Sequence, residues 1–189
     1  MELIKIDKSN IGLAREIQCL LFPDSDAAVN YIEAVEHVSG YEYWLVQVDG
    51  EYVGISGIYS LPVDPDSAWL GWFGILPQFR RMGLGSRVIR AFEDVARERG
   101  FLYARLYTGR YDNEVAKAFY RANGYQEEFY DCPEDPGGLV EPLSIFSKAL
   151  SEGSTVPPWG NKSMSIDEQL KKQAASVGIV FPPVPDTSR

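Results

Sequence analysis

Apolar and polar residues alternate over residues 2–6, and this period of two predicts a short first strand. Apolar positions then recur at helical spacing from Ile11 to Leu21, and Phe22-Pro23 ends the run, which predicts a helix. The Asp-Ser-Asp sequence at 24–26 offers caps for a second helix over roughly Ala27 to His37. The chain therefore opens with a strand and two helices.

Two runs rich in β-branched and aromatic residues follow within residues 41–61, and Asp49-Gly50 joins them. An Asp-Gly pair between such runs is a strong hairpin signal because both residues accept a positive φ. Residues 62–67, PVDPDS, are predicted to form a loop. Residues 68–76 are predicted to form the next strand, which Pro77 ends.

The second half of the chain alternates between helical and strand patterns. A long amphipathic helix is predicted from Leu84 to Arg99, with Gly100 as its stop. Its apolar stripe consists of Leu84, Val88, Ile89, Phe92, Val95 and Ala96, with charged residues opposite. The pattern then predicts a strand over 101–109, a helix over 112–124 and strands over 125–131 and 142–150. This order predicts an α/β fold, a mixed sheet with a strand–helix–strand crossover at its centre.

The composition changes after Leu150. Residues 151–163 are rich in Pro, Gly and Ser and are interpreted as a linker. Ser165 and Glu168 form a capping box before a short helical pattern that ends at Gly178, and a proline-rich end follows. We therefore predict a domain over 1–150 and an extension over 151–189, whose helix docks on its own domain or on a second subunit.

The net charge of −9 and the pI near 4.7 argue against nucleic acid or an anionic membrane as a partner. Cys19 and Cys132 match no metal or redox spacing, so reduced structural thiols are expected. The first ten residues have no apolar signal core, and no stretch approaches the roughly 20 apolar residues of a membrane span. A cytoplasmic location is the expectation.

The segment FRRMGLGSR lies where a predicted strand gives way to the long helix. The first amides of a helix have no intrahelical partner and carry partial positive charge, so they bind anions readily. Gly83 and Gly85 let the backbone approach an oxygen closely, and Arg80 adds charge, as Arg81 and Arg87 also can. The segment is a candidate phosphate site.

Two common phosphate motifs do not fit this loop. A Rossmann fingerprint needs a third glycine where Val88 stands, and an acid at the end of the next strand, which is absent. A Walker loop needs Gly-Lys-Ser/Thr, but Gly85 is followed directly by Ser86. Dinucleotide and triphosphate sites are therefore poorly supported.

The pattern Arg80-x-x-Gly83-x-Gly85 after an apolar strand resembles the (Arg/Gln)-x-x-Gly-x-(Gly/Ala) loop of the GNAT superfamily of N-acetyltransferases. The resemblance implies a mostly antiparallel sheet of about seven strands flanked by helices. It also implies that the loop amides hold the pyrophosphate of acetyl-CoA and that the preceding strand pairs with its pantetheine arm. The cofactor-binding residues that it implies are Phe73, Gly74, Ile75, Arg80, Arg81, Met82, Gly83, Leu84, Gly85, Ser86, Asn113, Lys117 and Tyr120.

The second predicted helix of this half carries a polar stripe. At about 100° per residue, Asn113, Lys117 and Tyr120 share one side. The opposite side is predicted to pack on the sheet and consists of Val115, Ala118, Phe119 and Ala122. The segment matches the family pattern Asn-x-x-Ala-x-x-Phe-Tyr-x-x-x-Gly-(Phe/Tyr) at every position. By resemblance, Asn113 bonds the pantetheine region, and Tyr120 lies near the coenzyme sulfur as the catalytic acid. For Lys117, a phosphate contact and a solvated surface lysine both stay open.

A general base is harder to assign, because the strand over 68–76 has no acid, whereas many family members carry a glutamate there. The open candidates are a water chain and Asp64, Asp66, Tyr59, Glu33, Glu36 and His37. Six aromatic residues are expected around the acceptor cleft, and about half of them can face it. They are Tyr41, Tyr43, Trp44, Tyr59, Trp69 and Trp72. Such a cleft would suit a cation.

The function that the resemblance implies is acetyl transfer from acetyl-CoA directly to a primary amine, with no metal and no acyl-carrying cysteine. We expect a small-molecule amine, with no nucleic acid or membrane partner, and the extension is a candidate dimerisation element. The alternatives are a protein or peptide N-acetyltransferase and a catalytically weak acetyl-CoA-binding sensor.

Overall fold

The computed structural model describes residues 1–23, 31, 35, 40–111, 113–130 and 142–160. The strands are β1 (Glu2–Lys5), β2 (Tyr41–Val48), β3 (Glu51–Leu61), β4 (Asp64–Ile75), β5 (Tyr103–Gly109), β6 (Gln126–Tyr130) and β7 (Leu143–Ala149). The helices are α1 (Ile11–Leu21), α2 (Leu84–Glu98) and α3 (Glu114–Ala122), and a 3₁₀ turn spans Pro77–Phe79.

The seven strands form one sheet in the order β1-β2-β3-β4-β5-β7-β6. Every neighbouring pair is antiparallel except β4 and β5, which run parallel and are connected through α2. A parallel pair needs such a crossover because its strands start at the same edge. The predicted mixed, mostly antiparallel sheet with a central strand–helix–strand crossover is confirmed.

Side chains of the sheet divide between two faces because strand residues alternate. The face that we call the α1 face packs against α1 and includes Tyr43, Leu45, Ile55 and Trp69. The opposite face, called the α2 face, packs against α2 and α3. Its core includes Trp44, Phe92, Leu106, Tyr120 and Phe146.

The predicted loop over 62–67 is wrong, because β4 begins at Asp64. Leu61 pairs with Asp64, so only Pro62 and Val63 form the turn between β3 and β4. The prolines and aspartates of this stretch suggested a loop. They are accommodated in a strand because Pro65 lies before Ser67, where the ladder to β5 begins.

The buried side of α2 also differs from the prediction, because it includes a carboxylate. Glu93 is buried, and the ammonium of Lys148 donates to both of its oxygens at 2.8 and 2.9 Å. Val95 is only partly buried. A buried acid is tolerated where a partner charge satisfies it, and here that partner comes from β7, far along the chain.

Parts of two predicted segments lie outside the described residues. In the predicted helix over 27–37, only Tyr31 and Val35 are described, and both are helical and buried. The remaining positions, including Glu33, Glu36 and His37, and the predicted helix after Ser165 lie outside, as does Cys132.

Residues 151–160, which we call the strap, were interpreted as part of a linker, but they pack on the domain. Trp159 is 1% exposed, and its ring lies 5.2 Å from that of Trp69 on the α1 face. The proline- and glycine-rich composition concealed one large anchoring side chain. The predicted boundary at residue 150 stays a prediction.

The packing of Tyr43 gives a first test. A Cβ at Gly57 would lie 2.4 Å from the Tyr43 ring, which is buried beneath Tyr31. We expect Gly57→Ala to lower the free energy of unfolding by about 1–3 kcal/mol through overpacking. Gly12→Ala, where a Cβ meets nothing within 4 Å, is the control and should leave stability equal or higher. Urea denaturation measures both, and a Gly57→Ala protein as stable as the wild type contradicts this packing.

Candidate active site

The central feature of the sheet is a separation between its two parallel strands. β4 and β5 pair only at Ser67 with Tyr103, Ala68 with Ala104, and Trp69 with Arg105. Beyond these rungs, β4 stays paired with β3 as far as Ile75, and β5 stays paired with β7 as far as Gly109. We call this opening the split. Its two backbone edges are unpaired with each other, so they can bond an extended ligand.

A β-bulge shapes the β4 side of the split. Gly57 pairs with Gly71 whereas Ile55 pairs with Gly74, so β4 carries one extra residue there. Trp72 lies within the bulge with φ of 38°, a value that non-glycine residues rarely adopt. Its ring is held edge-on against Phe22 at 5.2 Å. Bulges often occur beside active sites because they redirect a strand.

The glycine loop follows the open end of β4. Gly83 caps α2 in the left-handed conformation with φ of 74°, and Arg81 also has a positive φ of 62°. The first helical bond runs from the Arg87 amide to the Gly83 carbonyl, and no side chain caps the helix. The amides that precede Arg87 thus lack intrahelical acceptors, which is the arrangement of an anion site.

Arg80 fixes this loop to the strand. Its Nε donates to the carbonyl oxygen of Ile75 at 2.8 Å, while the side chain remains exposed. A guanidinium has five donors, so others remain for an anion beside the loop. Met82, which lies in the same loop, is 65% exposed and is outside the core.

Gly85 lies where the glycine loop meets α3, the helix that carries the second sequence motif. A Cβ there would lie 3.2 Å from the Phe119 ring of α3 and 3.7 Å from the Phe73 ring of β4. Phe73 and Phe119 stack at 5.9 Å, so β4, α2 and α3 meet beside the loop. A Cβ at Gly85 would thus make a tight contact with the Phe119 ring.

The predicted orientation of α3 is wrong. Lys117 and Tyr120 are buried, whereas Val115 is 87% exposed and Ala118 and Ala122 are exposed. Tyr120 packs on the sheet beside Phe146, and Lys117 reaches inward to the carbonyl of Arg110. Of the polar stripe, Lys117 and Tyr120 are packed and Asn113 is exposed, while Phe119 of the opposite side is partly buried as predicted.

Tyr120 reaches into the α2 face beside the split. Its ring lies 5.3 Å from Phe146, which pairs with Leu106, the first β5 residue beyond the paired rungs. Tyr120 is 8% exposed, and this burial raises the pKa of its phenol above the ordinary value. The phenol therefore keeps its proton at neutral pH and is available as a donor.

Asn113 and Lys117 hold the segment between β5 and α3. Asn113 has a left-handed backbone with φ of 58°, and its Nδ2 donates to Thr108 Oγ1 at 3.3 Å. The Lys117 ammonium donates to the carbonyl of Arg110 and pairs with Glu114. These contacts place Asn113 at the β5 end of the split. The Lys117 ammonium is thus bonded to the protein, and its contact with a coenzyme phosphate stays a prediction.

The structure argues against three of the base candidates. Asp64 and Asp66 lie at the start of β4, and at about 3.3 Å per residue they are roughly 20–27 Å from Trp72. Asp64 pairs with Arg105 at 3.1 Å. Tyr59 is buried, and its burial, followed by the neighbouring phenols, raises its pKa well above the ordinary value, which disfavours the phenolate.

Five of the six aromatic residues expected around the acceptor cleft lie on the α1 face, and Trp44 lies on the other. The five are Tyr41, Tyr43, Tyr59, Trp69 and Trp72. Tyr107 joins them on β5, beyond the last rung, and is 36% exposed. Sequence reasoning missed Tyr107, although its alternation with Tyr103 and Arg105 was a usable signal.

Within the described ranges, no three His, Cys, Asp or Glu side chains are grouped so as to hold a metal ion. No helix in those ranges has the length and apolar character to cross a membrane.

Comparison with known proteins agrees with this geometry. The family model described as the acetyltransferase (GNAT) family matches residues 13–125, well over half of the chain. The chain belongs to this family and is an acetyltransferase, which confirms the resemblance. No curated protein sequence matches it significantly.

Solved structures share the fold at low sequence identity. A Staphylococcus aureus GNAT-family acetyltransferase matches with a TM-score of 0.63 and 20% identity, covering 79% of this chain and 99% of that one. The Escherichia coli ribosomal-protein-S18-alanine N-acetyltransferase matches with a TM-score of 0.64 and 16% identity, covering 84% and 99%. A Bacillus subtilis acetyltransferase in complex with CoA matches with a TM-score of 0.61 and 15% identity, covering 79% and 100%.

The raised pKa of Tyr120 predicts an alkaline effect on stability. Because the folded chain holds the phenol proton of Tyr120 more tightly, this proton contributes to the free energy of unfolding. The contribution is complete below about pH 10 and is lost as pH rises from there through the pKa of the folded state. We expect Tyr120→Phe to reduce this fall in the free energy of unfolding by up to about 1.4 kcal/mol per pH unit. Urea titrations from pH 8 to 11 measure it, with Tyr111→Phe at an 80% exposed site as control. Equal slopes in all three proteins contradict the burial of Tyr120.

Proposed function

We propose that the protein transfers an acetyl group from acetyl-CoA directly to a primary amine of a small molecule, within a ternary complex. The observation that carries this proposal is the split, which connects the unpaired amides of the glycine loop with Tyr120. The end of the split at the glycine loop suits an anion, and the end at Tyr120 suits a leaving group that needs a proton. Acetyl-CoA carries a pyrophosphate and a thioester, so it has a group for each end.

The proposed position of acetyl-CoA follows from the backbone edges of the split and from the glycine loop. The pyrophosphate lies against the amides of residues 81–86, with Arg80 as an added donor. The pantetheine arm lies along the edge of Phe73, Gly74 and Ile75 that is not paired with β5, as an added strand would. The Bacillus subtilis relative, solved in complex with CoA, has the same fold and supports acetyl-CoA as the ligand.

The chemistry assigns a role to Tyr120. A neutral amine attacks the thioester carbonyl, the carbon–sulfur bond breaks, and a thiolate leaves. Tyr120, whose phenol is protonated at neutral pH, donates its proton to this sulfur, and the proton that the attacking amine loses through water restores the phenol. A β4 amide near Ile75 stabilises the charge that develops on the carbonyl oxygen.

The acceptor is proposed to approach from the α1 face, because the glycine loop and Tyr120 lie towards the α2 face. Aromatic rings of Trp72 and Tyr107 flank the split there and suit a protonated amine before it loses its proton. The described part of β4 beyond the last rung carries no carboxylate, so proton loss through water is proposed.

A protein amine is the second candidate, since the Escherichia coli relative is by name a protein N-acetyltransferase. A catalytically weak acetyl-CoA sensor is the third. The cytoplasmic location, the homodimer and the absence of nucleic-acid and membrane partners stay predictions that rest on sequence.

Tyr120→Phe tests the proposed catalysis. With acetyl-CoA and a panel of small amines and N-terminal peptides, we expect thiol release from the wild type with small amines. In the variant we expect kcat to fall by about 10²- to 10⁴-fold. Acetyl-CoA affinity, measured by calorimetry, should change little because the phenol serves the departing sulfur. Unchanged kcat removes Tyr120 from this role, and wild-type binding without turnover across the panel favours the sensor.

Arg80→Met tests the proposed pyrophosphate site. Loss of one charge-assisted bond should weaken acetyl-CoA binding by about 10- to 100-fold, and the loss should shrink as salt is added. Arg90→Met removes an exposed arginine of α2, whose Nε donates to the Ser86 carbonyl at 3.2 Å, and should have a much smaller effect. Equal weakening in both variants would show a general charge effect instead of a site at the loop.

A further inference from the structure

The strap is held on the α1 face by a buried arginine. Arg105 is 2% exposed, and its guanidinium donates to Ser67 Oγ at 3.0 Å, to Ser147 Oγ at 2.6 Å and to the Pro157 carbonyl at 2.9 Å. Burying such a charge is costly unless its donors are used. Asp64 balances the charge at 3.1 Å, and one of the donors is satisfied by the Pro157 carbonyl of the strap.

A carboxylate of the sheet holds the end of the strap. Glu128 on β6 accepts from the Trp159 amide at 2.6 Å with one oxygen and from the Gly160 amide at 2.8 Å with the other. Both oxygens of one side chain are thus used on adjacent amides, which fixes the backbone direction at Trp159. Charge-assisted bonds of this kind are the stronger class.

These anchors place the Trp159 ring at the inner end of the split. Trp69 and Arg105 form the last paired rung of β4 and β5. The Trp159 ring lies 5.2 Å from the Trp69 ring, and the Arg105 guanidinium carbon lies 5.6 Å from it. Trp159 therefore covers the rung after which the strands separate, on the face opposite α2. Tyr107 follows Arg105 on the same face of β5.

We propose that Trp159 is a specificity-determining residue, which forms the inner wall of the acceptor site and limits it to amines with a small body. This inference rests on the proposed function, in which the acceptor enters from the α1 face. Arg105 and Glu128 are positioning residues, since they act through the strap. The wall also keeps water from the thioester, whose hydrolysis would give acetate and free CoA thiol.

Trp159→Ala tests whether Trp159 forms the inner wall of the acceptor site, and Trp159→Phe is the conservative variant. The readout is the ratio of kcat/KM for a bulky arylalkylamine to that for a short alkylamine, with acetyl-CoA affinity measured separately. We expect Trp159→Ala to raise this ratio by about tenfold, the scale of discrimination by shape in an apolar pocket. Trp159→Phe should restore most of the wild-type ratio, and thiol release without amine should rise only in Trp159→Ala. A merely structural role would lower both kcat/KM values together.

A second pair of variants keeps the test informative if Trp159→Ala does not fold. Glu128→Gln weakens the anchor of the strap, and we expect a smaller change of the ratio in the same direction. Glu127→Gln is the matched control, because Glu127 is the neighbouring carboxylate on the other face of β6 and pairs with Arg121. Equal ratios in Glu128→Gln, Glu127→Gln and the wild type overturn the inference. A wild type that acetylates no amine overturns the proposed function instead.

Discussion

Hydrogen bonding between β4 and β5 stops after the pair Trp69–Arg105, and the rest of the site follows from this interruption. Each strand keeps one partner, β3 or β7, so the sheet stays continuous while two backbone edges become available to a ligand. The bulge at Trp72 shifts the register of β4 against β3 by one residue, and β4 stays paired with β3 as far as Ile75 after it has left β5. An unpaired edge inside a sheet is unfavourable, and the extended arm of a cofactor would satisfy it.

The two helices of the α2 face serve the same opening. α2 begins just beyond the end of β4, so its free amides lie at the wide end of the split. α3 contacts α2 through Gly85 and Phe119 and carries Tyr120 onto the sheet beside the divergence. On the opposite face, the strap closes the narrow end through Trp159. The site is thus assembled from elements that all pack against one central pair of strands.

Sequence reasoning succeeded where the signal was local. The Asp49-Gly50 hairpin, the bounds of α1 and the start of α2 at Leu84 each depend on a few neighbouring residues. It failed where partners are distant. Which side of α3 is buried depends on the packing of Tyr120 beside Phe146 and on the bond from Lys117 to the Arg110 carbonyl, and helical periodicity could not decide it. Trp159 was missed for the same reason, since its partners on β4, β5 and β6 lie 31 or more residues away.

The most direct test of the central claim is a titration of isotope-labelled protein with acetyl-CoA, followed by backbone amide chemical shifts. We expect the largest shifts at residues 81–86 and at Phe73–Ile75, with smaller ones at Asn113 and Tyr120 and none along the outer strand β1. Binding that shifts β1 or the Asp64 end of β4 instead, and leaves the glycine loop unchanged, would contradict the assignment of the split as the cofactor site.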